Sequence, residues 1–68
     1  MRKKHMEYKE AIKKLRRKML MTQTEFGDLL GVAFATVNRW ESGKYEPTMK
    51  IKRALAPYFE KYNIEING

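Results

Sequence analysis

The chain has 68 residues, no cysteine and a formal net charge of +7. That length builds one small domain, and without cysteine its core must form with no disulfide staples, which fits a reducing compartment. No apolar run approaches the roughly 18 to 20 residues a membrane span needs, and the basic N-terminus is not followed by the apolar core of a signal peptide, so the expectation is a soluble, cytoplasmic protein.

The charge is concentrated at one end. Residues 1–18 hold nine Lys or Arg (Arg2, Lys3, Lys4, Lys9, Lys13, Lys14, Arg16, Arg17, Lys18) against Glu7 and Glu10, while residues 19–68 are neutral in sum. A polyanion is the natural partner of such a chain, although scattered lysines also serve solubility on a solvated helix face. Residues 1–5 read as a frayed basic arm. From about residue 6 to residue 20, Tyr8, Ile12, Leu15 and Met19 recur at helical spacing, which predicts a first helix with one apolar stripe and a basic outer face.

The stretch Thr22 to Gly43 carries the most information. Thr22 with Glu25 three residues on has the form of a capping box, so a second helix starts at Gln23 and stops near Leu30, where Gly31 supplies the left-handed residue that closes a helix. Ala33 opens a third helix running to Glu41, and Gly43 ends it. Gly27, Gly31 and Val37 fall where a helix-turn-helix needs, in order, a small residue for close contact, a flexible helix end and a buried branched residue.

At about 100° per residue from buried Val37, Ala35 lies near 160°, Arg39 near 200° and Asn38 near 100°, so these three face away from the protein, while Trp40 turns inward as a core anchor. Arg39 can fork onto O6 and N7 of guanine, and Asn38 can pair with adenine or bind a phosphate. Phe34, near 60°, either caps the core or presses on a thymine methyl. Glu41 points inward enough to require a partner. Further on, Pro47 breaks the chain and Thr48 caps a fourth helix over residues 48–62, in which Ile51, Leu55, Tyr58 and Tyr62 continue an apolar stripe. Pro57 should push Ala56 away from helical angles, giving a kink or a fresh fifth helix at Pro57. Ile64, Glu65 and Ile66 alternate over too short a span to assign.

The segment Ile12 to about Leu55 resembles the DNA-binding domain of the Xre family, the lambda-repressor-like (Cro/cI-type) helix-turn-helix proteins of bacteria and their phages. The resemblance is carried by Leu15-Arg16, Thr22-Gln23, Glu25-Phe26, Leu30-Gly31-Val32, Thr36-Val37, Arg39-Trp40-Glu41-Ser42-Gly43-Lys44 and Pro47, in order and spacing. It implies an all-α, compact domain of four or five helices spanning residues 1–68, with the helix-turn-helix at 22–43 and the third helix in the major groove of double-stranded DNA. The family's base-reading positions fall on Phe34, Ala35, Thr36 and Arg39, and it places a phosphate contact at Gln23, where free amides and the positive helix end favour an anion. Thr36 and Lys44 are further phosphate candidates. An Arg at the position of Arg16 pairs in this family with the Glu at the position of Glu41. Two departures stand out: Ala33 replaces the usual Ser or Thr cap and Gly27 the usual Ala, each expected to weaken a helix by about 1 kcal/mol.

These residues imply a sequence-specific transcriptional regulator, a repressor most often in this family, which binds as a homodimer on two half-sites and, lacking an evident dimerisation segment, forms the dimer on DNA. A different class of reading makes the chain the targeting module of a larger system, such as an antitoxin or the partner of a DNA-modifying enzyme, with Tyr58, Phe59 and Tyr62 as a partner-protein surface. The basic first helix as a membrane binder ranks behind both. No catalytic or metal constellation can be assembled: His5 is the single histidine, there is no cysteine, and the carboxylates do not converge, so neither enzyme activity nor a cofactor is expected.

Overall fold

The computed structural model describes residues 6–66; the expected basic arm at residues 1–5 lies outside the described residues. The described residues form four helices, α1 (Tyr8–Lys18), α2 (Gln23–Leu30), α3 (Phe34–Glu41) and α4 (Met49–Lys61). Ala11, Ile12 and Leu15 of α1, Phe26 of α2, Val37 and Trp40 of α3, and Leu55 and Phe59 of α4 converge on one core, which Ile64 closes from the tail. Each helix therefore buries a single stripe, the arrangement its spacing of apolar residues requires.

All four helices end in the same way. Leu20, Gly31, Gly43 and Asn63 adopt left-handed backbone angles with φ of 58°, 77°, 82° and 56°. After each, the next amide donates back across the last turn: Met21 to the Arg16 carbonyl at 3.1 Å, Val32 to Gly27 at 2.8 Å, Lys44 to Arg39 at 3.0 Å and Ile64 to Phe59 at 2.8 Å. These are Schellman closures, which satisfy carbonyls that a helix end would otherwise leave unpaired. Leu20 and Asn63 take the left-handed position without being glycine, and Leu20 is 90% exposed.

At the start of α2 the capping box is complete, with Thr22 Oγ1 accepting from the Glu25 amide at 3.1 Å and Glu25 Oε1 accepting from the Thr22 amide at 2.9 Å. Ala33 is the residue before α3 and offers no side-chain cap, so α3 begins at Phe34. Thr48 caps α4 by accepting from the Ile51 amide at 3.4 Å. Of the two expectations for Gly27, a small residue at a close contact and a weak point in its helix, the first is met by the backbone around it. A Cβ there would lie 2.5 Å from the Val32 carbonyl oxygen, so the missing side chain is what allows the turn into α3 to close over α2.

Pro57 does not split the last helix, which runs from Met49 through Ala56 and Pro57 to Lys61. The reason is its face. Pro57 and Arg53, whose carbonyl would have bonded the missing amide, are both exposed, so the interrupted bond lies on the solvent side of the helix. Leu55 and Phe59, two residues to either side, are buried and hold the helix to the core. The alternating tail also acquires a place: Met6 and Ile66 form an isolated parallel bridge in which the Met6 amide donates to the Glu65 carbonyl at 3.1 Å. This bridge ties the start of α1 to the chain beyond α4.

Candidate nucleic-acid interface

Burial of Val37 and Trp40 leaves the opposite side of α3 facing solvent, where Ala35, Asn38 and Arg39 are all exposed. Ala35 and Arg39 stand one turn apart on that face, with only a methyl group at the first, so the helix backbone can approach a partner closely there. Phe34 is 54% exposed and does not cap the core, which removes one of its two expected roles. Thr36 is half-buried, and Lys44 is exposed just beyond the α3 closure. No acidic residue stands in the first turn of α3, so its positive end is free of a local counter-charge.

The α2 and α3 helices are locked together by polar side chains beneath this face. Arg16 donates through Nε to Glu41 Oε2 at 2.7 Å and through Nη2 to Glu41 Oε1 at 3.1 Å, a two-point contact that tethers α1 to the end of α3. Its Nη1 donates to the Met21 carbonyl at 3.0 Å, gripping the turn before α2 as well. The Glu41 side chain is 4% exposed and that of Arg16 16%, so the pair is largely shielded from water. The hydrogen bond to Glu41 raises the Arg16 guanidinium above its ordinary value, and burial opposes that shift only in part.

Gln23 extends this network towards the surface. It donates through Nε2 to Glu41 Oε1 at 3.1 Å and accepts through Oε1 from Asn38 Nδ2 at 3.3 Å. The side-chain amide of the first residue of α2 is thereby held in one orientation, with its second N–H unspent. Asn38 keeps its Oδ1 and one N–H. A shallow groove of about 270 Å³ runs along this line, bordered by Lys13, Arg16, Gln23, Asn38, Glu41 and Ser42. The Arg16–Glu41 pair that the resemblance implied is thus joined by Gln23 and Asn38 into one connected group, and Lys13 of α1 borders it.

Two features could not be read from spacing. The Arg39 Cζ lies 5.8 Å from the centroid of the Tyr45 ring, and the Lys9 side chain runs against Gly43, where a Cβ would come within 3.1 Å of its Cδ. Both join residues from separate elements, and no helical angle places them. Of the surface expected at Tyr58, Phe59 and Tyr62, Phe59 is taken by the core: it is 5% exposed, with its ring centroid 6.2 Å from that of Tyr8, while Tyr58 and Tyr62 are half-buried against the same core. Aromatic residues here stabilise the fold.

Among the described residues no helix is long and apolar enough to cross a membrane, and no group of three or more His, Cys, Asp or Glu is placed to hold a metal ion. No curated protein and no solved structure matches the chain. A helix-turn-helix family, HTH_3, matches it over residues 12–61, which takes in all of α2, α3 and α4 and the part of α1 from Ile12 onward. With α2 closing through Gly31 onto α3 and the outer face of α3 left open, the chain belongs to this Xre-type, lambda-repressor-like family of DNA-binding domains.

Proposed function

We propose that the chain is a sequence-specific regulator of transcription, a repressor, acting in the cytoplasm as a single helix-turn-helix domain that lays α3 in the major groove of double-stranded DNA. The observation that carries this reading is the open face of α3 standing beside a Gln23 amide held rigidly by Glu41 and Asn38. Base edges are read in the groove, whereas phosphate contacts fix the register of the helix within it. Arg39 forks onto guanine, Asn38 accepts from adenine through its unspent Oδ1, Phe34 meets a thymine methyl, and Ala35 lets the backbone come close. Gln23 donates its unspent N–H to a phosphate at the start of α2, with Thr36 and Lys44 contacting the backbone on either side of the reading face. Because Gln23 and Asn38 share a hydrogen bond, the phosphate contact and the base contact are mechanically linked.

Two copies on half-sites about one helical turn apart would give the length of recognition that one short helix lacks. The alternative of a protein-targeting module gains no support from Phe59, which the core has taken. Selection of bound sites from random duplex DNA tests the proposal. Arg39→Ala should lose about 1 to 3 kcal/mol on the selected site and blur one base position, while Lys44→Ala should weaken all sequences alike and reduce the salt slope by about one. Equal effects of both substitutions on selected and random DNA would remove the base-reading role of Arg39.

A further inference from the structure

Tyr45 lies two residues beyond Gly43, in the segment that leads to buried Pro47. Tyr45 is 61% exposed, so the core makes little use of it, yet the Arg39 guanidinium carbon lies 5.8 Å from the centroid of its ring. Both residues hang from one closure, since the Lys44 amide donates to the Arg39 carbonyl at 3.0 Å, Ser42 Oγ donates to the same carbonyl at 3.1 Å, and Gly43 turns the chain with φ +82°. The backbone therefore brings the ring to the side chain.

An unsupported arginine on an open helix face samples many rotamers, and a base contact must freeze them. Stacking of a guanidinium on an aromatic ring uses the face of the cation and leaves its N–H edges free, and those edges are what O6 and N7 of guanine require. We propose that Tyr45 is a positioning residue that holds the plane of Arg39 ready for a base edge, and so sets how strongly the domain prefers guanine at the base pair Arg39 contacts. This rests on Arg39 being the base-reading side chain. Tyr45 acts through Arg39 and needs no contact with DNA of its own.

The test uses the full chain, the duplex selected by it, and a second duplex changed at the one base pair whose preference Arg39→Ala erases. Tyr45→Leu should reduce preference for the first duplex over the second by about two- to fivefold, the range for an exposed cation–π contact, and should leave the salt slope unchanged. Tyr45→Phe keeps the ring and should keep the preference. In the Arg39→Ala background, Tyr45→Leu should change nothing further. In the free protein, the Arg39 side-chain proton resonances should sit upfield from the ring current in wild type and Tyr45→Phe, and return to ordinary positions in Tyr45→Leu. The proposal is overturned if Tyr45→Leu preserves the full preference, or if it weakens binding equally with and without Arg39, which would make Tyr45 a DNA contact. Should Arg39→Ala leave every base preference intact while the upfield shift is present, the stacking stands and it is the base-reading assignment that has failed, taking the proposal with it.

Discussion

Gly27→Ala sets helix propensity directly against the geometry of the turn. In a free helix the change gains about 1 kcal/mol, because glycine exposes more backbone freedom to be lost on folding. In this fold the new Cβ would lie 2.5 Å from the Val32 carbonyl oxygen and 3.4 and 3.5 Å from the Ala33 carbonyl carbon and oxygen. The nearest of these is a backbone atom of the turn itself, and the Val32 amide is already committed to the Gly27 carbonyl at 2.8 Å. Relief must therefore come from moving α3 away from α2, against the packing of Phe26 and Val37. Forcing one extra carbon into a closed contact costs about 1 to 3 kcal/mol, which exceeds the propensity gain over most of that range. The expected net effect is a loss of about 1 kcal/mol, or about 4 to 8 °C in Tm for a domain of this size, read by thermal and urea denaturation followed by circular dichroism. A Tm higher than wild type would refute the reasoning: the turn would then have room to spare, and Gly27 would be only a weak point in α2.

Arg16→Met should destabilise the domain by about 3 kcal/mol, because it leaves the Glu41 carboxylate, 4% exposed, without its charge partner; an unchanged urea midpoint would show that water reaches this site. As Arg16 is held above its ordinary value, its contribution is fully present below that value and is lost only as pH rises past the raised one, so the gap in stability between wild type and Arg16→Met should stay level from about pH 7 to about pH 10. Leu20→Gly should stabilise by about 1 kcal/mol, since relief of a left-handed leucine outweighs the added freedom of the unfolded chain, and a side chain 90% exposed gives up little packing; a lower Tm would mean that Leu20 makes contacts its exposure hides. Ala33→Ser should add about 1 kcal/mol by supplying the absent cap to α3, and a thermal melt that does not rise would place the Ser hydroxyl away from the free amides.

Local chemistry alone determined much of this protein. The Thr22–Glu25 box, the closing glycines Gly31 and Gly43, and the angular position of Ala35, Asn38 and Arg39 relative to Val37 all follow from interactions within one or two helical turns, which a sequence displays directly. Tertiary structure decided what depends on distant residues. Pro57 stays inside α4 because Leu55 and Phe59 anchor the opposite face, a fact about the core that no local rule contains. Phe59 belongs to that core instead of a partner surface, and Leu20 accepts a left-handed backbone because the Met21 amide must close α1 before α2 can begin. The close contact expected at Gly27 has its partner, the Val32 carbonyl, fixed only by the turn between α2 and α3. The resemblance already implied the Arg16–Glu41 pair, but the links of Gln23 to Glu41 and Asn38, and of Arg39 to Tyr45, depend on the fold, because hydrogen bonds and ring contacts between separate elements are set by packing and leave no period in the sequence.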